Sequence, residues 1–80
     1  MNHEVKYVRT KCNMIIIFSD LQQHSEFKQF GPVSAGFIDF DVDENGPTCK
    51  CYGESISLGL KADVELDTKL AKRFILNAQI

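Results

Sequence analysis

Between Val33 and Leu60 the chain reads V-S-A-G-F-I-D-F-D-V-D-E-N-G-P-T-C-K-C-Y-G-E-S-I-S-L-G-L, and the alternation in its first half restricts the fold more than any other stretch. Ile38, Phe40 and Val42 fall on one side and Asp39, Asp41 and Asp43 on the other, the two-residue period of a strand with one face in water. Asn45-Gly46 supplies a turn, since Gly46 can take positive φ and Pro47 cannot donate to a ladder. A return strand is expected from Thr48 to about Ile56. It would put Cys49 and Cys51 on one face and Lys50, Tyr52 and Glu54 on the other. Lys50 then lies beside the acidic side of the first strand, a cross-strand pairing worth about 0.2–1 kcal/mol. The rest of the chain must extend this hairpin or pack on it.

Upstream, Glu4 to Thr10 alternates, with Val5 and Tyr7 on one side and Lys6 and Val8 on the other, which predicts a strand with one wet face. Lys11-Cys12-Asn13 makes a turn into the β-branched run Met14 to Phe18. Apolar side chains leave that second strand in both directions, so it is expected in the centre of the sheet. Residues 20–31 carry a weaker signal. Ser19-Asp20 can cap a helix and Gly31-Pro32 can stop one, but Leu21, Phe27 and Phe30 fit no clean helical stripe; Ser25 can cap a single turn through Phe30, and a short helix is expected here. At the other end, Asp63 or Asp67 opens a helix with Glu65 in its first turn and Lys69, Lys72 and Arg73 later, the order the helix dipole favours. Leu70, Ala71, Phe74, Ile75 and Ala78 share one side. A helix beginning at Asp63 places Asp67 within that apolar arc, where an unpartnered carboxylate is costly to bury. Asp67 must therefore cap a shorter helix or find a partner.

The predicted fold is α+β: a four-stranded, mainly antiparallel sheet of two hairpins in the order β-β-α-β-β-α, with the C-terminal helix packed on one face. Eighty residues, 1–80, allow one small domain, which buries only about 60–65% of the surface of its unfolded chain. With 44% hydrophobic and 25% charged residues the composition is that of a folded domain. Nine basic and eleven acidic side chains give a net charge of −2, without the basic excess that phosphate neutralisation needs, so nucleic acid is not the expected partner. The run Met14 to Phe18 is too short to span a bilayer, and the first residues lack the layout of a secretory signal. A cytoplasmic location and no membrane partner are expected. Three cysteines, Cys12, Cys49 and Cys51, are an odd number, read as free thiols in a reducing compartment.

No residue set composes a complete chemical site. Cys12, Cys49, Cys51, His3 and His24 include zinc-ligand types, but C-x-C on a strand lacks the spacing of a zinc knuckle, and free cysteines more often sit in the core. Gly53-Glu54-Ser55-Ile56-Ser57 opens like a nucleophile elbow yet ends in serine, on a chain too short for that scaffold, so surface serines on a strand are the preferred reading. His24-Ser25-Glu26 brings an imidazole and a carboxylate together, although His24 and Ser25 at a helix start more often act as caps. No catalytic, metal or cofactor residues are assigned. One helix cannot cover both faces of a sheet this rich in aromatic residues, so a leftover apolar face or edge is expected to mediate self-association.

The segments V-S-A-G-F-I (33–38) and C-Y-G-E-S-I-S-L-G-L (51–60), with the His24-Ser25 pair, resemble a group of short uncharacterised bacterial and phage or prophage proteins. The resemblance runs over most of the chain and carries no activity. It implies a mobile-element origin and singles out His24, Ser25, Gly53, Glu54 and Ser55 as the candidate functional surface. The expected function is a non-catalytic protein-interaction or assembly module, a homodimer. One alternative is a small enzyme or enzyme subunit using His24 with Glu26 or Glu54. Another is a regulatory nucleic-acid module using Lys61, Lys69, Lys72 and Arg73.

Overall fold

The computed structural model describes the backbone of residues 3–78 and, within that span, the side chains of all but residues 3, 43 and 75–78. Four strands, β1 (His3–Thr10), β2 (Ile15–Phe18), β3 (Pro32–Asp43) and β4 (Gly46–Tyr52), form one antiparallel sheet in the order β2-β1-β3-β4. Each hairpin pairs internally, and β1 joins them by pairing with β3, Val5 opposite Ile38 and Tyr7 opposite Gly36. The α-helix α1 (Val64–Ala78) follows. The α+β architecture expected from the alternation is therefore present, and Asp39 stands directly opposite Lys50.

Register divides the side chains cleanly. Tyr7, Ile15, Ile38, Cys49 and Cys51 point to one face and are buried beneath Ala71, with Ala62 and Leu70 packed against them. Fully burying an isoleucine such as Ile38 is worth about 1.5–3 kcal/mol, so this layer supplies much of the driving force. Both strand thiols lie inside it; burial pushes Cys49 above its ordinary value and, more strongly, Cys51 up to about 12. Cys12 is exposed in the β1–β2 turn.

Several expectations are corrected. β2 is an edge strand, not a central one. Its apolar residues reflect burial on both faces of the sheet, which does not require a pairing partner along both edges: Ile15 packs in the α1 layer and Phe18 in the opposite layer. The β1 face carrying Lys6 and Val8 is not wet throughout, since Val8 is fully buried with Phe18 and Ala35 under Phe27, Leu58 and Leu60. The return strand stops at Tyr52 instead of Ile56. Gly53, at φ 79°, turns the chain out of the sheet, and a second small hairpin forms from β5 (Glu54–Ser55) and β6 (Leu60–Lys61). Residues 24–30 form a 3-10 helix, His24–Phe30, whose first turn is closed by the Glu26 carboxylate accepting from the Gln23 N–H at 2.7 Å, not by Ser25. On α1, Phe74 is half exposed, outside the core. The expected apolar residues Ile75 and Ala78 have side chains outside the described residues.

The Asp67 question resolves in favour of a partner. Asp63 caps α1, its Oδ1 accepting from the Leu66 N–H at 3.3 Å. Asp67, one turn in, is completely buried. Its carboxylate accepts from the Arg9 Nε–H at 2.6 Å, from the Asp63 N–H at 2.9 Å and from the Tyr7 hydroxyl. The Arg9 side chain is only 12% exposed, and it also donates to Ser34 and Asn13. Burial, followed by the hydrogen bond to Asp67, holds the Tyr7 phenol well above its usual range, so it remains a donor.

Replacing Asp67 by alanine strands a buried guanidinium and phenol. A loss of about 3–5 kcal/mol is expected, against a total of about 4–12 kcal/mol for a domain of this length. Urea unfolding should therefore show D67A losing at least about a quarter of the total stability, while the exposed neighbour substitution Glu65→Ala shifts it by less than about 0.5 kcal/mol.

Candidate functional site

The face of the sheet opposite α1 is covered only in part. The 3-10 helix and the β5–β6 hairpin lie over one end, and between them runs an open groove of about 650 Å³. Its floor is aromatic. Phe37 and Tyr52 face one another across the β3–β4 register and stack at 5.9 Å. His24 meets the edge of Phe37 at 5.6 Å and of Phe18 at 5.4 Å, in both cases nearly perpendicular, the arrangement the ring quadrupoles favour.

His24 is held from both sides. The 3-10 helix starts at this residue and turns the imidazole inward until it is 5% exposed. Its Nε2–H donates to the Gly36 carbonyl at 2.8 Å. A carbonyl can only accept, so Nε2 carries the proton of this bond. Gly36 has little freedom: a Cβ there would sit 2.3 Å from the Tyr52 carbonyl oxygen and 3.2 Å from the Ala62 methyl. The β1, β3 and β4 backbones and the chain leading into α1 thus close around the residue whose carbonyl fixes the imidazole.

The rim comes from the segment after Gly53. A Cβ at Gly53 would meet Phe37 at 3.0 Å, in addition to the strain of its positive φ, so glycine is needed where the chain leaves the floor and climbs over it. Glu54, Ile56 and Ser57 follow along the groove, with Lys6 and Gln23 across from them. Lys6 Nζ donates to the Gln22 carbonyl at 2.8 Å, tying β1 to the turn before the 3-10 helix. Tyr52 donates to the Glu4 carboxylate, and that bond, with a smaller contribution from burial, pushes its phenol up to about 12. Ile56, at the tip of the β5–β6 turn, is 88% exposed.

The structure therefore brings His24, Gly53, Glu54 and Ser55 to one groove and leaves Ser25 exposed outside its lining. His24 is not a surface cap, because its ring is used in packing. Ser55 is not a surface serine: it is buried, accepts from the Leu58 N–H at 3.3 Å and lies 3.3 Å from the Ser57 hydroxyl, which closes the turn. Glu26 is occupied at the start of the 3-10 helix and does not line the groove. What the groove presents is an apolar, aromatic floor with a few hydrogen-bonding groups around it, a binding arrangement. Phe37, Tyr52 and Lys6 were missed as site residues because their grouping depends on strand register and on the fold-back at Gly53. Ile56 is the one sequence hint, a large aliphatic residue between serines in a turn.

A second groove, of about 550 Å³, lies on the other side, at the seam of β4 and α1. It gathers Lys69 and Lys72 from the proposed basic face but adds Lys50, and neither Lys61 nor Arg73 lines it. Among the described residues, no group of three or more metal-ligating side chains converges, and the His3 side chain lies outside them. No helix among them is long and apolar enough to cross a membrane. Comparison with protein-family models, curated proteins and solved structures returned no match to the chain.

The packing of His24 predicts that His24→Ala loses on the order of 3 kcal/mol through the vacated volume and the unpaired carbonyl. Ser25→Ala, by contrast, should change stability by less than about 0.5 kcal/mol. Parallel urea titrations read both values, and equal effects would contradict the inward placement of the ring.

Proposed function

We propose that the chain is a small cytoplasmic protein-binding module that works by surface complementarity without catalysis and forms a homodimer through the aromatic groove. Ile56 carries this reading. It is 88% exposed, yet stands at the lip of a groove floored by Phe37, Tyr52 and His24. One patch thus offers both a protruding aliphatic side chain and a concave aromatic surface, the self-complementarity that a two-fold interface requires. Each Ile56 would enter the groove of the other copy.

The sheet edges support association by this face instead of by strand pairing. Pro47 has no N–H to donate at its position on β4, the Cys51 N–H is taken by the Thr68 hydroxyl at 2.9 Å, and Cys49 and Cys51 are buried. β2 offers only four residues. Short, covered or proline-bearing edges resist edge-to-edge pairing. Of the enzyme alternative, Glu26 is taken up as a cap and the Nε2–H of His24 is committed to a backbone carbonyl, whereas Glu54 lines the same groove as His24.

Light scattering at about 10 µM should give twice the 9.1 kDa chain mass, since an interface worth about 8 kcal/mol is populated at that concentration. Ile56→Glu should return the single-chain mass with the circular dichroism spectrum unchanged. A single-chain mass for the unsubstituted protein would refute the dimer.

A further inference from the structure

The groove between β4 and α1 has a composition that the homodimer does not use. Its floor is Cys49 with Val64, the latter 44% exposed, and its rim carries Lys50 from the strand and Lys69 and Lys72 from the helix. Lys69 and Lys72 are three residues apart and so share a helix face. Lys72 lies close enough to Cys49 to oppose the effect of burial on that thiol. Glu65 is the one acidic residue in the lining, and among the described residues none of the three lysines takes part in an ion pair.

Three cations held around an apolar floor, on a chain whose net charge is −2, are a local reversal of sign. We infer that this groove is the docking site for an acidic, extended segment of a partner protein, its carboxylates on Lys50, Lys69 and Lys72 and one aliphatic side chain on Val64 and Cys49. The volume, about 550 Å³, falls within the roughly 300–1,000 Å³ of ligand clefts. Charge complementarity selects an anionic partner, and the floor selects against nucleic acid, since a phosphate backbone leaves Val64 uncovered. The inference deepens the reading of the chain as a protein-binding module. It is independent of the dimer, because the two grooves share no lining residue.

The test uses a fluorescein-labelled hexapeptide of alternating glutamate and leucine, a lysine-leucine counterpart and a labelled single-stranded DNA oligonucleotide, each titrated by fluorescence anisotropy. The acidic peptide should bind, the lysine peptide and the DNA should not, and Lys69→Glu with Lys72→Glu should weaken binding at least tenfold. Raising salt from about 0.05 to 0.5 M should weaken it severalfold, as screening of exposed charges requires. Both substituted side chains are exposed, so circular dichroism should be unchanged. Absence of acidic-peptide binding, equal binding by the double variant, or tighter binding of the DNA would overturn the proposal. None of these results alters the solution mass, so failure here and failure of the dimer are distinguishable.

Discussion

The carboxylate of Asp67 is the point at which helix and sheet are joined. Moving a charge of this kind out of water costs several kcal/mol even after relaxation, and the cost is offset only where geometry and hydrogen bonding are complete. Here they are: Arg9 supplies the opposite charge, Tyr7 and the Asp63 amide supply further donors, and no buried side-chain polar atom among the described residues lacks a partner. Such a pair adds little stability over a well-packed hydrophobic replacement; its effect is on specificity. A surface of small and aliphatic residues would let α1 slide or rotate, whereas only one placement sets residue 67 above Tyr7 and Arg9. The rotation that satisfies Asp67 also puts Ala71 and Leu70 on the sheet and Thr68 on the β4 edge.

From that placement the two surfaces of the molecule acquire different characters. On the α1 side the helix covers the sheet and masks the β4 edge, and its outer lysines meet Lys50 along the seam. On the other side the described residues form no long helix, and the cover is one 3-10 helix and one small hairpin. Their gap is the aromatic groove. The cover on this face is incomplete, and the exposed Ile56 stands at the lip of the gap.

The hairpins were legible because their signals are local. Alternation from Ile38 to Val42 shows which side chains share a face, and Asn45-Gly46 marks the reversal to within a residue: the turn is Glu44-Asn45, and Gly46 and Pro47 already pair in β4. The conflict at Asp67 was legible too, as a carboxylate inside an apolar arc, although neither Tyr7 nor Arg9 could be named from 60 positions away. What could not be read depends on tertiary contact. β2 shows its burial in Ile15 to Phe18 but nothing in its composition shows its edge position. Strands of two residues, such as Glu54–Ser55 and Leu60–Lys61, are too short to have a period, and Gly53 reads as part of a strand until Phe37 is known to lie against it. His24 resembles a cap because the preference for polar residues at helix starts is local, while its inward rotation is set by Phe18, Phe37 and the Gly36 carbonyl.

The claim that Asp67 and Arg9 act as a unit in locking helix to sheet is tested most directly by a double-mutant cycle of Arg9→Met and Asp67→Leu, with unfolding followed in stabilising sulfate. The account predicts that each single replacement leaves an uncompensated buried group, and that the double replacement recovers most of the loss, a coupling of about 2–3 kcal/mol. Losses that simply add, to within about 0.5 kcal/mol, would show that the two residues stabilise the fold independently and would contradict it.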